Sequence, residues 1–307
     1  FYDEGERRKR ELSDFLFKYG EEKLEEALSD SAFRSFSRGK RGDILSSDGK
    51  VLAYSHMVED GQKRIYLYDN MYSHVIGYNS TRYGRSMLEK TYNGYIMGSD
   101  ISSNIFNFKQ EILGGEKSGA DINLTIDHSL QNLAYKLLGN RKGSIIAIEP
   151  KTGATLALVS KPDFNPNEES LVANWEKIST SEEGVLLSRA TSGLYAPGSS
   201  FKIVTAAAAV ENSLHEQTFK DEGSIVIGGF EFVNYDGKTL GEVDIDTAFA
   251  KSSNVVFTYL ADEIGRGKMK DAADRFMVGK EISYDIPLGK GSGFNSTEKT
   301  NTAAIGM

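Results

Sequence analysis

Ser199 and Lys202, within "LYAPGSSFKIVTAAAAV" (194–210), are the residues whose types and spacing most clearly suggest chemistry. A serine hydroxyl is a weak nucleophile until a neighbouring base accepts its proton. Three positions apart on a helix, the two side chains project from the same face. An amine drawn against an apolar helix loses hydration, its pKa falls, and it can serve as a base near neutral pH. Pro197-Gly198 break the preceding segment. Ser199 and Ser200 suit a helix start, where unpaired N–H groups and the helix dipole favour developing negative charge. A plainer reading fits the same residues, with Ser199 as a helix cap and Lys202 snorkelling to water. The local sequence leaves both open.

Ser-x-x-Lys recurs at Ser37–Lys40, Ser47–Lys50 and Ser296–Lys299. Those copies lie in polar, Gly-rich or charged stretches with no apolar helix behind them, and no catalysis is expected there. "FKIVTAAAAVEN" is apolar nearly all round, which predicts a core helix.

The elements around this segment follow from turn and cap signals. Residues 1–36 carry charged blocks interrupted by Phe15, Leu16 and Phe17, and helical periodicity fits best. "RGDILSSDGKVLAYS" predicts two strands joined at Asp48-Gly49. The Gly-rich "GGEKSGAD" (114–121) is the expected linker. Beyond it, "INLTIDHSLQNLAYKLLGN" predicts a short strand, a cap at Asp127 and a helix ended by Gly139-Asn140. "GSIIAIEP" and "ATLALVS" predict a hairpin around "PKTG", and "GSIVIGGFEFVNYDGKTL" a further strand pair. One helix is expected over "DTAFAKSSNVVFTYLADEIG" (246–265). The order of elements predicts an α+β fold, with antiparallel sheet packed against helices. Two domains are expected, residues 1–119 and 120–307.

Composition narrows the function. The chain of 307 residues is 39% hydrophobic and 26% charged, as in ordinary globular proteins. Its net charge of −8 suggests no broad nucleic-acid footprint. It has no cysteine, which excludes disulfides and thiol catalysis and sits comfortably with an extracytoplasmic setting. His56, His74, His128 and His215 are scattered without ligand-like spacing, so no metal is expected, and no other cofactor is either. No apolar run is long enough to span a membrane.

"YAPGSSFK" resembles the active-site box of the penicillin-binding proteins, serine D,D-transpeptidases that cross-link peptidoglycan and are known for a Ser-x-x-Lys, Ser-x-Asn and Lys-Thr-Gly set. "AKSSNVVF" resembles the second box, with Ser252 and Asn254 at its polar positions; an identical Ser-Ser-Asn at 102–104 lies in the wrong region. "RGDILSSDGKVLA", "YGRSMLEKTYNGYIMG", "GSIIAIEPKTGATLALVSKPDFNPN" and "SRATSGLYAPGSSFK" extend the resemblance over most of the chain. Ser46 and Ser47 stand where the family usually has an acidic-basic pair.

The resemblance implies the class B, monofunctional type: a smaller N-terminal pedestal (1–119) before a β-lactamase-like transpeptidase domain (120–307). Ser199 would be the nucleophile and Lys202 its base. Ser252 would relay a proton to the leaving amine, and Asn254 would hold the lysine and a substrate amide oxygen. Implied partners are peptidoglycan stem peptides, β-lactam antibiotics and a membrane glycosyltransferase of the wall-synthesis complex. The implied location is the extracytoplasmic face of the bacterial membrane, with an N-terminal transmembrane anchor that this sequence does not include.

The third box is the departure. Lys117-Ser118-Gly119 and Lys151-Thr152-Gly153 both precede Ser199, so neither is expected to serve. The functional copy is expected beyond Met307, and the chain as given is expected to be weak or inactive. The competing readings are a β-lactamase or β-lactam sensor of the same fold, and a catalytically degenerate scaffold.

Overall fold

The hairpin expected at Asp48-Gly49 is present in a computed structural model that describes residues 40–59, 61–98 and 119–294, with Thr302 and Gly306. Strand β1 (Ile44–Leu45) pairs antiparallel with β2 (Val51–Val58), and Gly49 takes a φ of +78° in the turn. β2 continues into β3 (Gly61–Tyr66), and the short ribbon β4 (Asn79–Ser80) and β5 (Gly84–Arg85) follows. Helices α1 (Met87–Thr91) and α2 (Asn93–Met97) come next. The predicted helix over 1–36 and most of the "GGEKSGAD" linker lie outside the described residues.

β6 (Ile122–Asn123) completes a four-stranded sheet of order β3-β2-β1-β6. It runs parallel to β1, Ile44 opposite Ile122, a pairing that no turn signal in the sequence predicts. Both isoleucines are buried with Leu52, Tyr66, Leu88 and Ile96, so the contact is fixed by a shared core rather than by a turn. Each such side chain contributes about 1.5–3 kcal/mol relative to exposure.

A buried ion cluster joins two of the sequence segments singled out above. Glu89, fully buried, accepts from Arg41 Nε at 2.8 Å and from Arg64 Nε at 2.7 Å. Arg41 Nη1 donates to Asn93 Oδ1, and Arg64 Nη1 to the Gly42 carbonyl. Gly42 is required sterically, since a Cβ there would lie 2.1 Å from the Ala120 carbonyl oxygen.

Asp127 accepts from Leu130 N at 2.7 Å and opens α3 (His128–Leu138), which Gly139 ends at a φ of +58°. Ala134 and Leu138 of α3 pack on Ala157 and Val159 of the antiparallel pair β7 (Gly143–Ile148) and β8 (Thr155–Lys161). α4 (Glu168–Ser179) follows. These elements belong to one compact unit, residues 1–193 with 285–287.

The second unit, 194–284 with 288–307, contains the Ser199 segment. A 3₁₀ turn over Gly198–Phe201 leads into α5 (Lys202–Glu211). Then come β9 (Phe219–Asp221), the hairpin β10 (Ser224–Ile227) and β11 (Phe230–Val233), and β12 (Gly241–Val243), which pairs with β9. Helices α6 (Ile245–Ala250) and α7 (Asn254–Arg275) follow. Val204, Ala208 and Ala209 of α5 pack against Val256, Phe257, Leu260 and Ala261 of α7.

Two expectations need correction here. The single helix over 246–265 is two helices, broken at 251–253. Ser252 takes a φ of +54°, which ends α6, and the Ser253 side chain accepts from Val256 N to start α7. α5 is not buried all round among the described residues. Its α7-facing side is core, while Ile203 and Val210 are 52% and 51% exposed.

Candidate active site

The 3₁₀ turn sets the first component. Pro197 fixes φ at −64°, and Gly198 adopts +53°, a conformation that most side chains resist. Ser200 Oγ turns back and donates to the Pro197 carbonyl at 2.6 Å. Ser199 is exposed and its side chain caps no backbone N–H. Lys202, the first residue of α5, is only 2% exposed. The plain reading of a capping serine and a snorkelling lysine therefore does not describe this geometry.

The break between α6 and α7 supplies the second component. With Ser252 in the left-handed region, its carbonyl and its hydroxyl both face the Lys202 amine. Nζ lies within hydrogen-bond distance of four oxygens, Ser252 O at 2.8 Å, Asn254 Oδ1 at 2.8 Å, Ser252 Oγ at 3.0 Å and Ser199 Oγ at 3.2 Å, of which the ammonium can donate to three at once. Ser252 Oγ donates to Ser199 Oγ at 3.2 Å. Asn254 Nδ2 donates to the Val233 carbonyl at 2.9 Å, which aims the amide oxygen at the lysine. The four residues predicted from sequence are thus brought together around one nitrogen.

Burial lowers the Lys202 pKa from 10.5 to about 8, and no carboxylate among the described residues pairs with it to oppose the shift. At pH 7 roughly one molecule in ten then carries a neutral amine, against roughly one in three thousand for an unperturbed lysine. Ser252 O and Asn254 Oδ1 can only accept, so they take the two protons of the neutral amine. Its lone pair is left for the hydroxyls of Ser199 and Ser252, which can donate. The arrangement can remove a proton from Ser199 and pass it on through Ser252.

Behind this face lies a polar cluster that the sequence does not announce. Asp221, fully buried, accepts from Ser253 Oγ at 2.6 Å and from Asn234 Nδ2 at 2.8 and 2.9 Å. Asn234 Oδ1 in turn accepts from Asn254 N and Val255 N. The only available signal was the central serine of Ser-Ser-Asn, a good cap before the apolar run "VVFTYL"; nothing in the spacing of Asp221 or Asn234 marks them.

The other sequence candidates lie elsewhere. Ser47 and Lys50 are exposed beside the β1–β2 turn. Lys151-Thr152-Gly153 forms the β7–β8 turn, with Glu149 accepting from Lys151 N and Thr152 N. Ser37, Ser102–Asn104, Lys117, Ser118 and Ser296–Lys299 lie outside the described residues.

Comparison with known proteins agrees with the geometry. Residues 143–307 match the family described as "Penicillin binding protein transpeptidase domain", more than half of the chain. The chain belongs to the penicillin-binding protein transpeptidase family. Residues 41–122 match "Penicillin binding protein A dimerisation domain", which gives the order of regions that the sequence resemblance implied. The peptidoglycan D,D-transpeptidase PbpA of Mycolicibacterium smegmatis is 31% identical over 256 residues, covering 77% of this chain and 52% of that protein. The chain thus spans about half the length of the curated relatives it matches. Penicillin-binding protein A from M. tuberculosis, solved as a penicillin G acyl-enzyme complex, superposes with a TM-score of 0.82 at 26% identity, over 87% of this chain and 66% of that one. A D,D-transpeptidase domain from Eggerthella lenta gives a TM-score of 0.72 at 33% identity, over 83% and 57% of the two chains. This penicillin-binding protein therefore has the transpeptidase fold expected from its motifs, preceded by the dimerisation region.

Proposed function

We propose that the protein is a peptidoglycan D,D-transpeptidase working through an acyl-enzyme on D-Ala-D-Ala stem peptides. The observation that carries this reading is the Lys202 amine, buried with no counter-charge among the described residues and bonded to Ser199, Ser252 and Asn254. Ser199 Oγ attacks the carbonyl of the D-Ala–D-Ala bond while its proton passes to Lys202 Nζ. Ser252 Oγ carries a proton on to the departing amine, the C–N bond breaks, and an ester to Ser199 remains. An amine from a neighbouring stem peptide then attacks that ester and frees Ser199. Backbone N–H groups near Ser199 stabilise the oxyanion, each donor of this kind contributing about 3 kcal/mol. Asn254 holds the lysine and contacts a substrate amide.

β-Lactams inhibit the same hydroxyl, because their strained amide presents an equivalent carbonyl. Two relatives named above support the reading: one is a peptidoglycan D,D-transpeptidase by name, and the other was solved as a penicillin G acyl-enzyme. Residues 120–307 are the transpeptidase domain and 1–119 the non-catalytic pedestal, although the compact units divide at 193/194 and β6 pairs with β1. The protein works on the extracytoplasmic face of the membrane, held by an N-terminal anchor, beside a glycosyltransferase that supplies the glycan strands.

Mass spectrometry of the natural full-length protein incubated with penicillin G tests this. A single covalent adduct on Ser199, absent from Ser199→Ala, is expected and persists for much longer than minutes. Absence of the adduct overturns the acyl-enzyme reading, and its loss within minutes points to a β-lactamase instead.

A further inference from the structure

We infer that Asp221, acting through Asn234 and Ser253, is a positioning residue that holds Ser252 and Asn254 against Lys202. The inference rests on the acyl-enzyme reading of Ser199 and adds residues that neither box contains.

A helix start leaves its first N–H groups without partners. In α7 the Ser253 N–H is met by the Ala248 carbonyl, and the next three are met from one carboxylate outward. Asn234 Oδ1 accepts from Asn254 N at 2.8 Å and Val255 N at 3.1 Å. Ser253 Oγ accepts from Val256 N at 3.0 Å. An amide oxygen and amide nitrogen differ only in hydrogen-bond sense, so something must decide which end of Asn234 faces the helix. Asp221 and the Lys238 carbonyl decide it together: both carboxylate oxygens accept from Asn234 Nδ2, which leaves Oδ1 to face the helix. The Lys238 carbonyl accepts from the same nitrogen at 2.8 Å. Asp221 Oδ2 also fixes the Ser253 hydroxyl at 2.6 Å, so that its lone pair faces Val256 N.

The cluster has no other evident purpose for its charge. Asp221 is fully buried, and among the described residues no cation pairs with it; Gly223 N, Asn234 and Ser253 are its partners. A buried charge held only by neutral donors is expensive unless its field is used. Here it faces the positive end of the first helical stretch of α7, which runs from Asn254 to a kink at Gly265 (φ +78°). The consequence lies one residue away on either side of Ser253. The cap holds Ser252 at a φ of +54°, which aims both its oxygens at Nζ, and holds the Asn254 backbone from which Oδ1 reaches Nζ. Misplacement of such groups by about 1 Å costs ~100-fold in rate.

The test is Asp221→Asn, which keeps shape and volume but sets an amide N–H against either Asn234 Nδ2 or the Ser253 hydroxyl. Two measurements are made on the natural full-length protein: the penicillin G acylation rate constant at saturation, and the ¹³Cε NMR titration of Lys202. The groups facing Lys202 are Ser199, Ser252, Asn254 and the Phe257 ring; those facing Asp221 are Gly223, Asn234 and Ser253, none of them charged. Acylation is expected to fall ~10–100-fold with noncovalent binding of the drug unchanged. The Lys202 midpoint is expected to rise from about 8 as the loosened groups let water reach the amine. Deleting a negative charge by itself would lower that midpoint, so the two effects differ in sign. The double variant Asp221→Asn/Asn234→Asp restores a donor facing an acceptor and is expected to recover part of both losses. If Asp221→Asn does not fold, Ser253→Ala removes one link with the charge intact and is read in the same way.

A wild-type rate and midpoint in Asp221→Asn overturn the inference, as does a downward midpoint, or a slower rate with the midpoint unmoved and no recovery in the double variant. A wild-type protein that forms no adduct overturns the acyl-enzyme reading alone, because the Lys202 titration still decides the positioning role.

Discussion

The amine of Lys202 donates to both the carbonyl and the hydroxyl of Ser252, at 2.8 and 3.0 Å, which is possible only because Ser252 sits at a φ of +54°. In a right-handed helix the carbonyl would point along the axis to its own i+4 partner and leave the amine. One left-handed residue thus ends one helix, opens the next and supplies two of the four oxygens around the nitrogen.

That relationship predicts how acylation depends on pH. Lys202 must be neutral to accept the Ser199 proton, and burial lowers its pKa to about 8. The amine is protonated and inactive below that value and neutral above it. The acylation rate constant with penicillin G is therefore expected to rise about tenfold per pH unit below 8 and to level off above it. Asn254→Asp sharpens the measurement: a carboxylate at this hydrogen-bonding position stabilises the ammonium, so the midpoint moves up and the rate at pH 7 falls. A flat profile, or an unmoved midpoint in the variant, removes Lys202 from the role of base.

Glu89 carries a separate expectation, about stability. It is fully buried and accepts from two arginines, Arg41 at 1% and Arg64 at 5% exposure. Replacing a whole buried ion cluster by apolar residues is often neutral, but removing one partner strands the others. Glu89→Gln leaves two buried guanidinium groups facing a neutral amide. A loss of about 3–5 kcal/mol is expected, read from urea denaturation. A loss below about 1 kcal/mol would mean that water reaches the arginines.

How much of this was legible depended on how local each cause is. The turn at Asp48-Gly49, the Asp127 cap and the Gly139 stop are set by neighbours within a few residues, and the structure has all three. The spacing of Ser199 and Lys202 was equally local, one helical turn long, but it left a nucleophile pair and a capped helix start equally open until the family resemblance was added. The break at 251–253 was not legible, because nothing in "FAKSSNVV" forbids a continuous helix. It is held by Asn234 and Asp221, which come from other elements far upstream. The same holds for Glu89, whose arginines lie 48 and 25 positions before it, and for the parallel contact of β6 with β1. Polar groups that find partners across the fold leave no period in the sequence.

Gly198 gives the last prediction, because there backbone and space can be separated. Its φ is +53°, yet a Cβ built on it would meet nothing within 4 Å. The glycine is therefore selected by conformation alone, and the cost of replacing it should follow the left-handed preference of the new residue rather than its size. Asn enters this region readily and Ala less so, while the β-branched Val is the worst of the three. Gly198→Asn is expected to acylate close to the wild-type rate. Gly198→Ala should lose about 1–2 kcal/mol of the turn's stability. In Gly198→Val the turn relaxes to negative φ, Ser199 Oγ swings away from Lys202, and acylation falls ~100-fold. The three second-order acylation rate constants, measured beside thermal melting, decide the matter. A ranking by side-chain volume instead, with Asn slower than Ala, would show that a neighbour crowds this turn when substrate binds.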